Sequence, residues 1–228
     1  MAQLTQSTFD FLYKLKKNNN RDWFAENKAE YVKNHEKMID FADDVLALLS
    51  QHDNIETLNG KKSLYRIYRD VRFSKNKAPY KTHWAGGFKR ATQQLRGGYF
   101  FRIEEGNKSM VAGGFWAPNK EDLLRIREEI AMDDEEFRAI ITEKNFVQTF
   151  GGLQGDQLKT APKSFPKDHK AIDLLRYKQY VVWKNFSDKE VLQKDFAKQV
   201  DATFQSMRPF FDYMSDVLTT DINGSPLF

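Results

Sequence analysis

Basic residues are concentrated in one short stretch of this sequence, and they are the side chains best suited to chemistry. Residues 61–83, here called the basic segment, contain eight lysines and arginines and a single acid, Asp70. The segment therefore carries +7, whereas the whole chain of 228 residues carries +4, which leaves −3 for everything outside it. A charge concentrated in this way attracts an oppositely charged partner to one place. The sequence thus predicts an anion-binding site.

The types of basic residue indicate which anion would suit such a site. Arginine offers a planar fork that pairs with two oxygens of a phosphate or carboxylate, and lysine adds a mobile point charge. Pro79 and Tyr80 would stiffen the loop that carries the lysines and add an aromatic edge. We therefore expect a phosphorylated small molecule or another anion as the ligand. The candidate binding residues are Arg66, Arg69, Asp70, Arg72, Lys75, Lys77, Tyr80, Lys81 and His83.

Two other interpretations of the charge stay open from the sequence. Asp70 could pair with neighbouring arginines while the lysines form a solvated rim, as most charge runs do. A nucleic acid could also be the partner, in which case Lys89, Arg90 and Arg96 would extend a basic stripe. A small-molecule site predicts an enclosed pocket, whereas nucleic-acid binding predicts an affinity that falls steeply with salt.

Catalysis has less support from the residue types. Asp70, Glu104 and Glu105 could hold Mg²⁺ in a metal-dependent phosphodiesterase, but Glu104 and Glu105 would point to opposite faces of one strand. His83 could act as an acid or base, although a single histidine beside a strand is more often structural. The other histidines lack the spacing of metal ligands and the chain has no cysteine, so neither a metal site nor a cofactor is predicted.

A strand is the element predicted to hold the arginines. Residues 63–73 are rich in Tyr, Ile, Val and Phe, and side chains along a strand alternate between its two faces. Arg66, Asp70 and Arg72 would then project from the same face. Arginines so close to it should lower the pKa of Asp70, so that Asp70 organises the arginines instead of acting as a general base.

The periodicity of the remaining chain predicts helices at both ends and a sheet between them. Strands are expected near residues 83–90, 98–104, 109–116 and 179–183, with a hairpin turn at 105–107. Helices are expected over residues 9–16, about 24–50 with a bend near 27, 119–130, 135–143, 171–175, and in a long final helix that opens with the capping box at Ser187 and restarts at Pro209. The fold class we expect is α+β, with a mostly antiparallel central sheet and helices from the N- and C-terminal segments packed around it, in a single domain of residues 1–228.

Composition narrows the class of protein further. The chain is 30% charged and contains no run of about 18 apolar residues and no signal-like start, so we expect a cytoplasmic protein without a membrane segment. The sequence leaves the oligomeric state open. The aromatic residues assigned to the core are Trp23, Phe24, Trp84, Phe100, Phe115 and Trp116.

Several motifs together resemble a known bacterial family. From residue 66 to 83 the chain reads Arg-Ile-x-Arg-Asp-x-Arg-Phe-Ser-Lys-x-Lys-x-Pro-Tyr-Lys-x-His, and further matching pieces lie at 11–12, 18–24, 98–100, 112–118 and 174–176. These pieces resemble the family known only as domain of unknown function number 2461. The resemblance implies a single-domain cytoplasmic protein and brings no established activity. Where the family usually has Ser in Lys-Ser-Pro-Tyr-Lys, this chain has Ala78, so no hydroxyl is available there.

Overall fold

The computed structural model describes residues 1–221 and 224–227. Within them, eleven helices and four strands make an α+β protein, which confirms the predicted fold class. The strands are β1 (Trp84–Lys89), β2 (Gly98–Ile103), β3 (Ser109–Phe115) and β4 (Tyr180–Phe186), and they form one antiparallel sheet in that order. The helices are α1 (Gln6–Lys17), α2 (Arg21–Glu26), α3 (Lys28–Leu49), α4 (Gly60–Ser63), α5 (Lys120–Met132), α6 (Glu135–Thr142), α7 (Lys144–Phe150), α8 (Ile172–Leu175), α9 (Asp188–Val191), α10 (Phe196–Gln205) and α11 (Arg208–Thr219).

The predicted long final helix is wrong, because the chain forms three helices there. The capping box at Ser187 is present but opens only the one-turn helix α9. The N–H of Phe196 then donates to Gln193 O, three residues back, and this tighter turn interrupts the α-helical ladder before α10. Pro209 lies in the first turn of α11, where a missing N–H does no harm, so the predicted restart is confirmed. The short helices α4 and α7 were not predicted.

The chain forms two compact units, and neither is a continuous stretch of sequence. Unit 1 consists of Met1–Phe88, Phe100–Val111 and Asn185–Ala202. Unit 2 consists of Lys89–Tyr99, Ala112–Lys184 and Thr203–Phe228. The single domain expected from the sequence stays a prediction.

Aromatic packing from three separate stretches of chain builds the core of unit 1. Phe41 of α3 stacks on Phe196 with ring centroids 5.5 Å apart and meets Phe101 of β2 edge-on at 5.7 Å. Phe88 of β1 lies 5.8 Å from Phe101 in the same layer. All four rings are buried, and such pairs stabilise by about 0.5–1.5 kcal/mol beyond the burial of their area.

The predicted hairpin turn between β2 and β3 is confirmed, and an unpredicted contact holds it. Gly106 and Asn107 adopt positive φ angles of 81° and 59°, which these two residue types tolerate. The carboxylate of Asp188, at the start of α9, accepts hydrogen bonds from the N–H groups of Gly106 at 2.8 Å and Asn107 at 2.9 Å. The turn is therefore tied to a residue 81 positions further along the chain.

Unit 2 has its own aromatic core around Phe211 of α11. Its ring centroid lies 5.0 Å from that of Tyr99, 5.7 Å from Phe210 and 6.2 Å from Phe115. The buried guanidinium of Arg90 completes this cluster 5.6 Å from the Phe211 ring. Within the described residues, no helix combines the length and apolar character needed to cross a membrane.

The predicted assignment of aromatic residues to the core is correct in part. Phe24, Trp84 and Phe115 are buried, whereas Trp23 and Phe100 are half-buried. Trp116 is 71% exposed, so its assignment was wrong. It lies just beyond the end of β3 and is followed by Ala117 at a φ of +46°, and the sheet alternation that buries Phe115 no longer applies there.

Candidate functional site

The basic segment folds as an irregular hairpin within unit 1. Its first arm, residues 64–69, runs antiparallel to its second arm, residues 79–86, which leads into β1. Tyr68 and Tyr80 face each other in an isolated bridge, with backbone hydrogen bonds of 2.8 Å on both sides of it. Residues 70–78, here called the basic loop, connect the two arms. The hairpin brings both ends of the charged sequence together.

The predicted strand over residues 63–73 is wrong, because only isolated bridges join the arms. Leu64 bridges to Gly86 and Tyr68 bridges to Tyr80, so four steps along the first arm correspond to six along the second. Extra residues on one side interrupt a hydrogen-bond ladder, as β-bulges do. A regular alternation of faces therefore does not develop along the first arm.

A local hydrogen bond also ends the first arm. The carboxylate of Asp70 accepts from the backbone N–H of Arg72 at 3.2 Å, and the chain turns at residues 72–73. Such a side-chain contact two residues ahead competes with strand pairing. The prediction that Arg66, Asp70 and Arg72 share one strand face is wrong for this reason.

An asparagine between α1 and α2 holds the second arm in place. The side-chain amide of Asn19 donates to Tyr80 O at 3.0 Å and accepts from the Tyr80 N–H at 3.0 Å, as a neighbouring strand would. The Tyr80 ring stacks on Phe24 of α2, with centroids 4.0 Å apart and an angle of 15° between the planes. Tyr80 is therefore a buried anchor for the hairpin, not an exposed ligand residue.

Two glycines allow the start of the first arm to lie close to its neighbours. A Cβ on Gly60 would lie 2.4 Å from Ile39 O in α3, inside van der Waals contact. A Cβ on Gly86 would lie 2.7 Å from the Phe101 ring and 2.9 Å from Ser63 O. Any larger side chain at either position would push the basic segment away from α3 or β2.

Two of the predicted ligand residues are used to build the basic loop itself. The guanidinium of Arg69 donates from Nη1 to Ala78 O at 3.1 Å across the loop. The Lys77 ammonium donates to Val71 O at 3.0 Å and to Arg72 O at 3.3 Å. Because these donors satisfy loop carbonyls, Arg69 and Lys77 shape the site and offer little to a ligand.

Asp70 and Arg72 form the ion pair that the sequence suggested. Arg72 Nη2 lies 2.7 Å from Asp70 Oδ2, and Arg72 Nε lies 3.0 Å from Asp70 Oδ1. The hydrogen bonds from Arg72, and to a smaller extent the charge of Arg66, lower the pKa of Asp70, in the direction expected. Both side chains are at least half exposed, so solvent screens the pair strongly.

Four groups beside the arms lie close enough for their charges to interact, and they are here called the cation cluster: Arg66, Lys81, His83 and Arg102. Arg66 is exposed, and its guanidinium makes no hydrogen bond or ion pair with the described part of the chain. The Lys81 ammonium donates to Arg66 O at 3.0 Å. Arg102 Nε lies 3.4 Å from Glu104 Oε2, so one acid balances part of this charge.

The pKa values of two cluster members are lowered, first by burial and then by the neighbouring positive charges. Burial, together with the charges of Arg102 and Lys81, lowers the pKa of His83 to about 4, so this imidazole is neutral at pH 7. Burial and the charge of Arg66 likewise lower the pKa of Lys81. The smaller, electrostatic cause indicates that positive charges lie close together here, and such a grouping favours the approach of an anion.

Three aromatic rings of the basic segment stand at the surface among these charges. Tyr65 is 51% exposed, Tyr68 is 54% exposed and Phe73 is 96% exposed. The Lys81 ammonium lies 5.7 Å from the centre of the Tyr65 ring, and the Arg72 guanidinium lies 5.9 Å from that of Phe73. Both distances suit a weak cation–π contact at an exposed site.

Residues of α3 that the sequence did not assign to the site line its inner side. Tyr31 stacks against Trp84 at 5.6 Å and against His35 at 5.4 Å. Burial and the nearby Tyr68 phenol raise the pKa of Tyr31, and burial and the Lys61 charge lower that of His35. The spacing of four residues between Tyr31 and His35 was the available signal that they share a helix face.

Arg102 belongs to the cation cluster, but the sequence analysis did not assign it to the site. Burial along β2 alternates strictly, with Tyr99, Phe101 and Ile103 buried and Phe100 and Arg102 half-buried. The alternation of the sequence around Arg102 was therefore the signal that places it on the open face of the strand.

Two of the three residues expected to extend a basic stripe, Arg90 and Arg96, are engaged elsewhere, and the third, Lys89, is exposed at the end of β1. Arg90 has a fully buried side chain that meets Asp212 at 2.6 Å, so it cannot extend a basic stripe. Arg96 pairs with Asp122. Across residues 1–221 and 224–227, no three His, Asp or Glu side chains come together as a metal site would require.

Comparison with known proteins gives one match. A family model described as "Conserved hypothetical protein (DUF2461)" matches residues 7–213, which include the whole basic segment, α2, α3 and β2. No curated protein and no solved structure matches the chain.

Proposed function

The chain belongs to the DUF2461 family of conserved hypothetical proteins, and we propose that it binds a phosphate-bearing anion at the cation cluster. The family description names no activity, so the proposal depends on the residues of this chain. The ligand would lie on an open surface of unit 1, because Arg66 and Arg72 are exposed there. This differs from the enclosed pocket expected of a small-molecule site.

The unpartnered guanidinium of Arg66 is the observation that carries the proposal. Arg66 is exposed, and the one acid of the basic segment, Asp70, already pairs with Arg72, so the Arg66 guanidinium can pair with a ligand without breaking a bond within the protein. Arg66 instead lies beside Lys81, whose pKa it lowers. A phosphate accepting from both groups would remove this repulsion and gain two charge-assisted hydrogen bonds.

His83 would respond to such a ligand without having to hold it. Its pKa of about 4 reflects burial and the charges of Arg102 and Lys81. A bound phosphate would oppose those charges, so the pKa of His83 would rise toward its ordinary value. The imidazole is therefore a built-in reporter of anion binding.

The alternative interpretation, in which Asp70 pairs with arginines and the lysines form a solvated rim, explains only some of the basic residues. Arg72 has its acid partner, and Lys75 is exposed, as that interpretation expects. It does not account for Lys81, because a half-buried ammonium whose pKa is lowered by burial is poorly solvated.

The test is a titration of the protein with pyrophosphate, followed by the NMR signals of the His83 ring and by calorimetry. We expect saturable binding, a rise in the His83 pKa, and at least about tenfold weaker binding in the Arg66→Glu variant. Lys189→Glu is the matched control, because it makes the same charge change at an exposed residue of α9. It should weaken binding by less than about twofold at moderate salt.

Two results would overturn the proposal. One is a His83 signal that does not change with pyrophosphate while the protein stays folded. The other is equal loss of affinity in Arg66→Glu and Lys189→Glu, because binding would then depend on net charge alone and not on the cation cluster.

A further inference from the structure

We infer that the phosphate-bearing ligand is single-stranded nucleic acid, with its phosphates on the cation cluster and its bases stacked on the exposed rings of the basic segment. The inference rests on the proposed function and names the class of ligand. It is carried by a separate observation, the exposure of the aromatic rings.

Rings and cations alternate along the basic segment. Tyr65 precedes Arg66, Tyr68 precedes Arg69, and Phe73 follows Arg72. All three rings are more than half exposed, although a large aromatic side chain is normally buried. A single strand presents the same alternation, because each phosphate is followed by an unpaired base with a flat apolar face.

Phe73 gives the strongest support because nothing in unit 1 explains its position. It lies at the turn of the basic loop and is 96% exposed, so it contributes nothing to the core. The Arg72 guanidinium lies 5.9 Å from the centre of the Phe73 ring. A base stacked on this ring would bury apolar surface on both partners and bring its phosphate toward that guanidinium.

The same surface is poorly suited to a duplex or to a free phosphate compound. A duplex is read by an element that enters a groove, whereas these rings lie on an irregular hairpin and its loop. In a duplex the faces of the bases are already stacked, so exposed rings would find no partner. A small phosphate compound would use the cations and leave Tyr65, Tyr68 and Phe73 in water.

The experiment measures fluorescence anisotropy of a labelled oligothymidylate of about 12 nucleotides, a length within one typical binding site. We expect affinity to fall linearly with salt on logarithmic axes, and Phe73→Ala to weaken binding about fivefold or more. Pyrophosphate binding by Phe73→Ala should stay unchanged, since the ring carries no charge. Trp116→Ala is the control, because Trp116 is also exposed but its two neighbours on each side are uncharged.

The outcomes separate the two proposals. If pyrophosphate binds but the oligonucleotide binds equally well to Phe73→Ala and to the parent, base stacking is excluded and only phosphate binding remains. Tighter binding of a duplex of equal length than of the single strand would also reject the inference. If neither pyrophosphate nor the oligonucleotide changes the His83 signal, the proposed function itself fails. Unchanged thermal unfolding of both alanine variants shows that they remain folded.

Discussion

Arg90 of unit 2 and Arg66 of the basic segment in unit 1 have different surroundings. In unit 2, Arg90 donates to Asp212 at 2.6 Å and to Ser215 at 3.2 Å with its side chain fully buried. In unit 1, Arg66 is exposed, has no acid partner in the described part of the chain, and lowers the pKa of Lys81. The positive charge of Arg90 therefore stabilises unit 2 from within, whereas that of Arg66 remains available to a ligand.

This difference holds for the other arginines of unit 2 as well. Each one donates to an acid or to a backbone carbonyl within that unit: Arg96 to Asp122, Arg125 to Val217 O and Thr220 O, Arg127 to Tyr177 O, Arg138 to Asp134 and Asp173, Arg176 to Leu158 O, and Arg208 to Asp212. Satisfied arginines of this kind are parts of the fold. Arg66 makes no such bond with the described residues, so its guanidinium can pair with a ligand.

The largest effect expected from this comparison is the loss of stability on removing Arg90. Arg90→Ala removes a fully buried side chain together with its bonds to Asp212, Ser215 and Arg96 O, and the cavity that it leaves should lower the free energy of unfolding by about 2–5 kcal/mol. Arg66→Ala should change it by less than about 0.5 kcal/mol, as for an ordinary surface residue. Urea unfolding of both variants measures these free energies. Similar losses of stability in Arg90→Ala and Arg66→Ala would contradict the difference between the two arginines.

A smaller effect is expected from the residue that holds the second arm. Asn19→Ala removes two backbone hydrogen bonds to Tyr80 and should lower the free energy of unfolding by about 1–2 kcal/mol. It should also weaken pyrophosphate binding, because the arm that carries Lys81 loses its anchor. Asn18→Ala is the control, since its amide makes one exposed bond to Lys14 O. Equal pyrophosphate affinity in both variants would show that the cation cluster does not depend on the hydrogen bonds between Asn19 and Tyr80.

The pH dependence of stability should reveal His83. Its folded pKa of about 4 lies below the ordinary value of 6.5, so between these pH values the unfolded chain binds a proton that the folded chain does not. Stability should therefore fall as the pH falls from 6.5 to 4, by on the order of 1 kcal/mol after solvent screening. His83→Gln should remove this component, which urea unfolding at several pH values would detect. If the free energy of unfolding changed equally with pH in the parent and in His83→Gln, this role of His83 would be contradicted.

The smallest effect is expected at Asp70, since it is exposed. The pKa of Asp70 is lower in the folded chain than in the unfolded chain. The pair with Arg72 therefore stabilises the fold at pH values above the pKa of the unfolded chain, and this stabilisation is lost as the pH falls through the pKa of the folded chain. Asp70→Asn should therefore lower the thermal unfolding midpoint more at pH 7 than at pH 3. An Asp70→Asn variant as stable as the parent at pH 7, but unable to bind a divalent ion that the parent binds, would instead favour a metal-dependent enzyme.

The regular elements were predictable because each carries its own period. The alternation in β2 and the spacing of apolar residues in α3 arise from burial on one face, which any sequence of this kind reveals. The first arm of the basic segment misled the same reasoning, since its β-branched and aromatic residues resemble a strand. Its pairing depends on the mismatch between the arms and on the bond from Arg72 N–H to Asp70, which composition does not express.

The sequence predicted where the positive charge lies, but it did not predict which residues build the loop and which remain open to a ligand. The density of lysine and arginine identified the right stretch of chain, and the Asp70–Arg72 pair followed from proximity in sequence. That Arg69 and Lys77 donate to loop carbonyls depends on the path of the loop. The contribution of Arg102 comes from another strand, so only the folded chain brings it to the cluster.

The bond between Asn19 and Tyr80 has a consequence for the dynamics of the hairpin. It joins residues 61 positions apart, so it can form only when the long intervening chain has closed. The amide hydrogen of Tyr80 then exchanges with solvent only when this junction opens. Its exchange rate in deuterium oxide therefore measures how often the second arm separates from the N-terminal helices.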